Sequence, residues 1–238
     1  MDDTAAGPIS AGLPGTFGEC RDHSTLPASP RLPLEAPALC VGAALTVLAP
    51  GQRGLKRGLK CRHRTVVLML DETFILETPP IRAGWAKVGV QAEVPITGNH
   101  ARRVIHGALN VTSGHVEFLI TDHWTASTYQ AFLRQVRQAW RGWHIMLFID
   151  RGSPHTAKAS RALAAALGIE VRWLPTATPE LNACEGLWRG AKGSGLANRP
   201  HQSIDEAADA ACRYLLDLTP RQRLQLAGVL SGHFWLAT

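Results

Sequence analysis

Asp71, Asp150 and Glu185 are the residues of this chain best placed to do chemistry. Asp71 follows the apolar run Val66–Leu70 and Asp150 follows Ile145–Ile149, and both runs read as buried strands. A carboxylate in such a place must be paired, hydrogen-bonded or bound to a cation. Glu185 lies in residues 179–188, which read as a helix, with residues 151–184 between it and Asp150. Two strand-end acids and one on a following helix make an all-oxygen donor set of the kind that hard cations such as Mg²⁺ take. Two such ions can activate a water or hydroxyl on one side of a phosphodiester and stabilise the leaving oxygen on the other. The chemistry implied is the cutting or joining of nucleic-acid strands.

The elements that must hold these acids are legible from residue 65 onward. Alternating and apolar patterns predict strands over 65–76, 102–111 and 115–120, joined as an antiparallel meander. The spacing of Tyr129, Phe132, Leu133, Val136 and Trp140 predicts a helix over 128–141, followed by a strand over 145–150. A helix over 156–167, a strand over 170–174 and the helix carrying Glu185 come next. Two more helices, over 203–218 and 220–230, close the domain, the second with Thr219-Pro220 as N-cap and first turn. This order resembles the ribonuclease H-like fold, an α/β fold with a mixed five-stranded sheet flanked by helices.

Residues 1–64 are different in kind. Seven of the fifteen prolines fall in the first fifty residues, among Gly, Ser and Ala and without a sustained apolar period, which predicts an irregular arm. Its end is basic: Arg53, Lys56, Arg57, Lys60, Arg62 and Arg64 follow one another without an acid. That run reads either as an arm contacting phosphates or as a solvated linker. The division predicted is an N-terminal arm over 1–64 and a catalytic domain over 65–238.

At 238 residues the chain is long enough for a substantial core, and its +6 net charge and pI near 9.4 favour a polyanionic partner. The five cysteines are odd in number, scattered and without a Cys-x-x-Cys pair, which argues for a reducing compartment and against zinc. Met1-Asp-Asp3 is acidic where a secretory signal is basic, and the apolar stretch over 38–49 is too short to cross a bilayer. These features point to a cytoplasmic protein with no membrane partner.

Three motifs carry a family resemblance: Leu70-Asp-Glu-Thr73, Phe148-Ile-Asp-Arg-Gly-Ser-Pro-His155, and Leu174-Pro with Pro179-Glu-Leu-Asn182 and Glu185-x-x-Trp188. Over residues 65–196 the ordered set resembles the catalytic domain of DDE-type transposases of the mariner-related insertion-sequence group. The resemblance implies that Asp71, Asp150 and Glu185 bind two Mg²⁺ or Mn²⁺ ions, that water first frees an element's end, and that the 3′-hydroxyl then attacks target DNA. It implies double-stranded DNA as partner, as transposon ends and target, a homodimer, and a place at the bacterial nucleoid. The family commonly has Asn after the second Asp and Pro after Glu-Leu-Asn, where this chain has Arg151 and Ala183. Residues 1–64 show no pair of helix-turn-helix motifs such as complete members carry, so a truncated copy is one reading. The alternatives are a non-catalytic DNA-binding remnant and a general nuclease of the same fold.

Several residues keep two readings. Glu72 rivals Asp71, but neighbours on a strand face opposite sides, so only one is expected to share a site with Asp150, and the motif favours Asp71. Glu185 could form an ordinary surface pair with Arg189 four residues on. On a helical wheel Leu181, Cys184, Trp188 and Ala191 form the apolar stripe, with Glu185, Arg189 and Lys192 along its edge, where the two cations could meet phosphates. His155 could orient a phosphate or a water, or simply bond backbone at a helix start. Trp85 and Trp188 are expected to pack in the core.

Overall fold

The computed structural model of the chain describes residues 64–90, 93–96 and 98–236. The N-terminal arm, with Arg53, Lys56, Arg57 and Lys60, lies outside the described residues.

Five strands form one mixed sheet: β1 (Thr65–Leu76), β2 (Arg102–Asn110), β3 (Val116–Thr121), β4 (His144–Ile149) and β5 (Ile169–Trp173), in the order β3-β2-β1-β4-β5. The meander β1-β2-β3 is antiparallel, with a short turn joining β2 to β3, whereas β4 and β5 pair parallel to β1 and to each other. β1 is central, so both of its faces are covered, and Leu68, Met69 and Leu70 are wholly buried.

Each face has its own core. On one, α1 (Ala126–Ala139) and α3 (Lys158–Ala166) cover Val66, Leu68 and Leu70 with Tyr129, Phe132, Leu133 and Val136. On the other, α4 (Cys184–Gly190), α5 (Ile204–Asp217) and α6 (Pro220–Leu226) cover Val67, Met69, Phe118 and Phe148. Each large apolar side chain buried this way contributes about 1.5–3 kcal/mol. The caps agree with the sequence. Thr125 and Thr128 form a capping box on α1, and Thr219 with Gln222 forms one on α6, ahead of Pro220.

Three expectations need correction. The helix expected over 156–167 is two, α2 (Ser153–Thr156) and α3, because Ala157 is extended (φ −53°, ψ 136°). The helix expected over 179–188 is a 3₁₀ turn (Pro179–Leu181) and then α4, with extended Asn182 between them. A π-helical turn (Ala191–Leu196) continues α4. Trp85 is not a core residue. It stands fully exposed between Glu77 and Ala101, where the described residues form no helix or strand. That excursion is closed at its neck by the Glu77 N–H donating to the Ala101 carbonyl at 3.0 Å, and it has no sheet to pack on.

No helix among the described residues is long and apolar enough to cross a membrane. Cys184 and Cys212 are free and buried.

Candidate active site

Asp71 and Asp150 lie just beyond the point where two parallel strands part. β1 and β4 pair from Thr65 with His144 as far as Met69 with Phe148, after which the two chains diverge carrying Asp71 and Asp150. Such divergence at the carboxyl ends of parallel strands leaves a crevice no backbone fills. Three contacts pin the start of α4 beside it. Asn182 Nδ2 donates to the Leu70 carbonyl at 2.9 Å, the Ala183 N–H to Met69 Sδ at 3.1 Å, and Cys184 Sγ to the Met69 carbonyl at 3.1 Å. The Cys184 N–H closes on Asn182 Oδ1 at 3.1 Å. Glu185, next along the chain, is thereby brought to the face of β1 that carries Asp71.

Asp71 is held by Trp188, whose Nε1 donates to Oδ2 at 3.1 Å. Gly107 makes room for that indole. It sits opposite Asp71 in the β1–β2 register, and a Cβ there would lie 2.4 Å from the ring. Burial, then the negative charges of Glu72 and Glu185, with Asp150 adding to them, push the Asp71 carboxyl up to about 8. A carboxyl so raised is poorly solvated and under-compensated in charge.

Glu72 is the opposite case. Its side chain is 6% exposed, and Oε1 accepts from His106 Nδ1 at 3.2 Å and His155 Nε2 at 2.9 Å. Burial alone would raise it, but these bonds and charges outweigh burial and hold Glu72 below the usual carboxylate range. His155 Nδ1 also bonds Asp150 Oδ1 at 2.7 Å, and the Gly152 N–H donates to the same oxygen at 3.0 Å. The His155 bond, then Gly152 against some burial, holds Asp150 low. Burial works against the His155 imidazolium, yet its two carboxylate partners raise it to about 9. The expectation that only one of Asp71 and Glu72 shares a site with Asp150 is therefore overturned. The two do face opposite sides of β1, but Asp150, just past the end of β4, turns towards His155 and is joined through it to Glu72.

Glu185, Trp188, Arg189 and Lys192 line a cleft of about 350 Å³ with Glu72, Thr73 and Phe74. Arg189 is exposed and Lys192 half-buried. Burial lowers Lys192, while Glu185 and Asp71 pull it back up. The surface pair that Glu185 could have made with Arg189 is not among the ion pairs of the described residues, and both residues line the cleft. Trp188 is buried as expected, and it is also a donor to Asp71.

The family profile described as DDE superfamily endonuclease matches residues 66–207, more than half of the chain. The chain belongs to the DDE superfamily endonucleases. Among solved structures it is similar to the Mos1 mariner paired-end complex with Mn (18% identity, TM-score 0.57, covering 82% of this chain and 64% of that one). It is also similar to a pre-cleavage Mos1 transpososome (17%, 0.55, covering 73% and 54%) and to the Mos1 transposase catalytic domain with Raltegravir and Mg (18%, 0.54, covering 78% and 86%). The chain spans between about half and two thirds of the Mos1 chains in the two complexes. These likenesses establish the fold, which is ribonuclease H-like. No curated protein matches the chain in sequence.

The donor chemistry of this DDE endonuclease domain fits a divalent cation, but its side chains are not yet gathered around one. Among the described residues no group of three His, Cys, Asp or Glu is arranged to hold a metal ion. Asp71 is bonded to Trp188 and Asp150 to His155. The fit lies in charge: buried Asp71 feels Glu72, Glu185 and Asp150 together, a negative field that a cation would relieve. Sequence reading missed Glu72 as a partner of Asp150, and with it His106 and Gly107. Strand register sets His106 against Glu72 and Gly107 against Asp71, and no residue spacing in the sequence signals it.

Proposed function

We propose that this chain is the catalytic domain of a DDE-type transposase, which cleaves DNA at an element's end and transfers the freed strand to target DNA. The observation that carries the reading is Asp71, a raised carboxyl in reach of Asp150 and Glu185, beside a cleft edged by Arg189 and Lys192. Asp71, Asp150 and Glu185 would hold two Mg²⁺ or Mn²⁺ ions. When bound, these supply Lewis-acid stabilisation to the attacking and leaving oxygens of an in-line displacement. Trp188 would orient Asp71, and Arg189 and Lys192 would hold phosphates by charge. In the first step water attacks a phosphodiester and leaves a 3′-hydroxyl. In the second that hydroxyl attacks a target phosphodiester, losing its proton as the target's own 3′ oxygen departs. Arg53, Lys56, Arg57 and Lys60 are further candidates for phosphate contact, and two chains on two DNA ends are the assembly this reading implies.

The test is cleavage of labelled duplex DNA bearing the neighbouring element ends, with Mg²⁺ or Mn²⁺, comparing the natural chain with Asp150→Asn. Metal-dependent cutting that the variant loses supports the proposal. Binding without cutting by both chains would favour a non-catalytic remnant, and equal cutting of DNA without element ends would favour a general nuclease.

A further inference from the structure

A buried line of polar side chains runs from the middle of the sheet to Asp150. His106, wholly buried on β2, lies opposite Glu72 in register and bonds it through Nδ1, while its Nε2 meets Thr121 Oγ1 on β3 at 3.3 Å. Glu72 bonds His155, and His155 bonds Asp150. His155 is 1% exposed, with the Tyr129 ring centroid 4.6 Å and the Trp124 ring centroid 5.9 Å from its own. Gly152 closes the packing, since a Cβ there would lie 2.9 Å from both His155 Nδ1 and the Trp124 ring. The ring thus has little freedom to turn, and both nitrogens are committed to carboxylates.

The far end of this line differs from the rest. Asp150 is 58% exposed, and both of its hydrogen bonds, from His155 and from the Gly152 N–H, fall on Oδ1. Oδ2 has no hydrogen-bond partner among the described residues. Anchored by one oxygen and free at the other, an exposed acid otherwise able to rotate is held in one orientation.

We propose that Glu72 and His155 act as one positioning unit, fixing Asp150 by Oδ1 so that Oδ2 is presented to a divalent cation. The inference rests on the reading of Asp71, Asp150 and Glu185 as the cation-binding set, and it gives the motif's second acid a task distinct from the first. Glu72 is not a spare ligand: its charge is spent on two buried histidines. Removing outer partners of a ligating carboxylate typically weakens metal affinity by about 10–100-fold.

The test is Mn²⁺ binding to the full chain in the absence of DNA, read from the electron paramagnetic resonance signal of the free ion, with Tm measured alongside. Asp150→Asn weakens binding if the cation-binding reading is right. Unchanged binding in that variant overturns the reading on which the unit depends. With that control in hand, His155→Ala and the isosteric Glu72→Gln are each expected to weaken binding, His155→Ala by about tenfold or more. The double variant should bind no more weakly than His155→Ala alone, because Glu72 acts through His155. His155→Asn, whose amide can replace the donor to Oδ1, should recover part of the affinity. Natural Mn²⁺ affinity in folded His155→Ala and Glu72→Gln would overturn the positioning role while sparing the cation site. Additive losses in the double variant would overturn the single unit.

Discussion

Asp71 and Glu72 are adjacent, both acidic and both partly or wholly buried, yet the two faces of β1 treat them in opposite ways. On the face covered by α1, Glu72 meets two histidines and is held as a carboxylate, and through His155 so is Asp150. On the face covered by α4, Asp71 meets an indole N–H and further acids, burial and those acids outweigh the pull of Lys192, and its carboxyl rises to about 8. One face has balanced its charge with protein groups, and the other has left a deficit. In a low-dielectric setting a deficit of this kind is costly, and it marks where a cation from solution would be most stabilising.

The largest effects should come from removing the three acids proposed to hold the cations. Asp71→Asn, Glu185→Gln and Asp150→Asn are each expected to lower metal-dependent DNA cleavage by at least about 10³-fold, or roughly 4 kcal/mol of barrier, with DNA binding retained. Cleavage assays beside gel-shift binding check this. Full activity in Asp71→Asn would break the comparison outright.

Next in size is the room made for Trp188. Gly107→Ala places a methyl 2.4 Å from the indole on β2, a strand paired on both sides, so the ring must move away from Asp71. A loss of about 1–3 kcal/mol in urea unfolding is expected. Unchanged stability would show that the indole is not held there.

The two faces lose stability over different pH windows. An acid raised to about 8 in the folded chain from an ordinary 3.8 keeps a proton that the unfolded chain releases between those values. Stability contributed at Asp71 therefore falls as pH climbs from about 4 to about 8. Without metal, Asp71→Asn should gain Tm over the natural chain progressively from pH 5 to pH 8, and a constant difference would contradict this. His155, also raised, has the same sign in a higher window. Its raised value stabilises the fold below its unfolded pKa, and the contribution is lost as pH rises through about 9.

Much of this was legible in the sequence because it rests on local pattern. The apolar runs before Asp71 and Asp150 are strands because they are central and covered on both faces, and Thr219-Pro220 caps a helix as such pairs do. The pairing of Glu72 with His106 depends on how β2 registers against β1, across the long excursion after Glu77, and no residue spacing encodes that. Likewise Asn182 looks like a helical residue in sequence but serves as the latch between α4 and β1, because its side chain finds the Leu70 carbonyl 112 positions away. Trp85 misled for the same reason: an indole implies burial only where an element exists to cover it.

The smallest effects concern the cations at the rim. Arg189→Ala and Lys192→Ala should weaken DNA binding about equally across sequences, and each should reduce the slope of log affinity against log salt by about 1. A salt slope untouched by both changes would remove these residues from the phosphate path.

The most direct measurement is a crystal structure of the chain soaked in Mn²⁺, with the ion located by its anomalous scattering. The account predicts a peak at Asp71, shared with Asp150 or Glu185, with the Trp188 bond to Asp71 released or lengthened and Glu72 still on its histidines. A peak at Glu72, or an Asp71 that binds no ion while Mn²⁺ occupies other carboxylates, would contradict it.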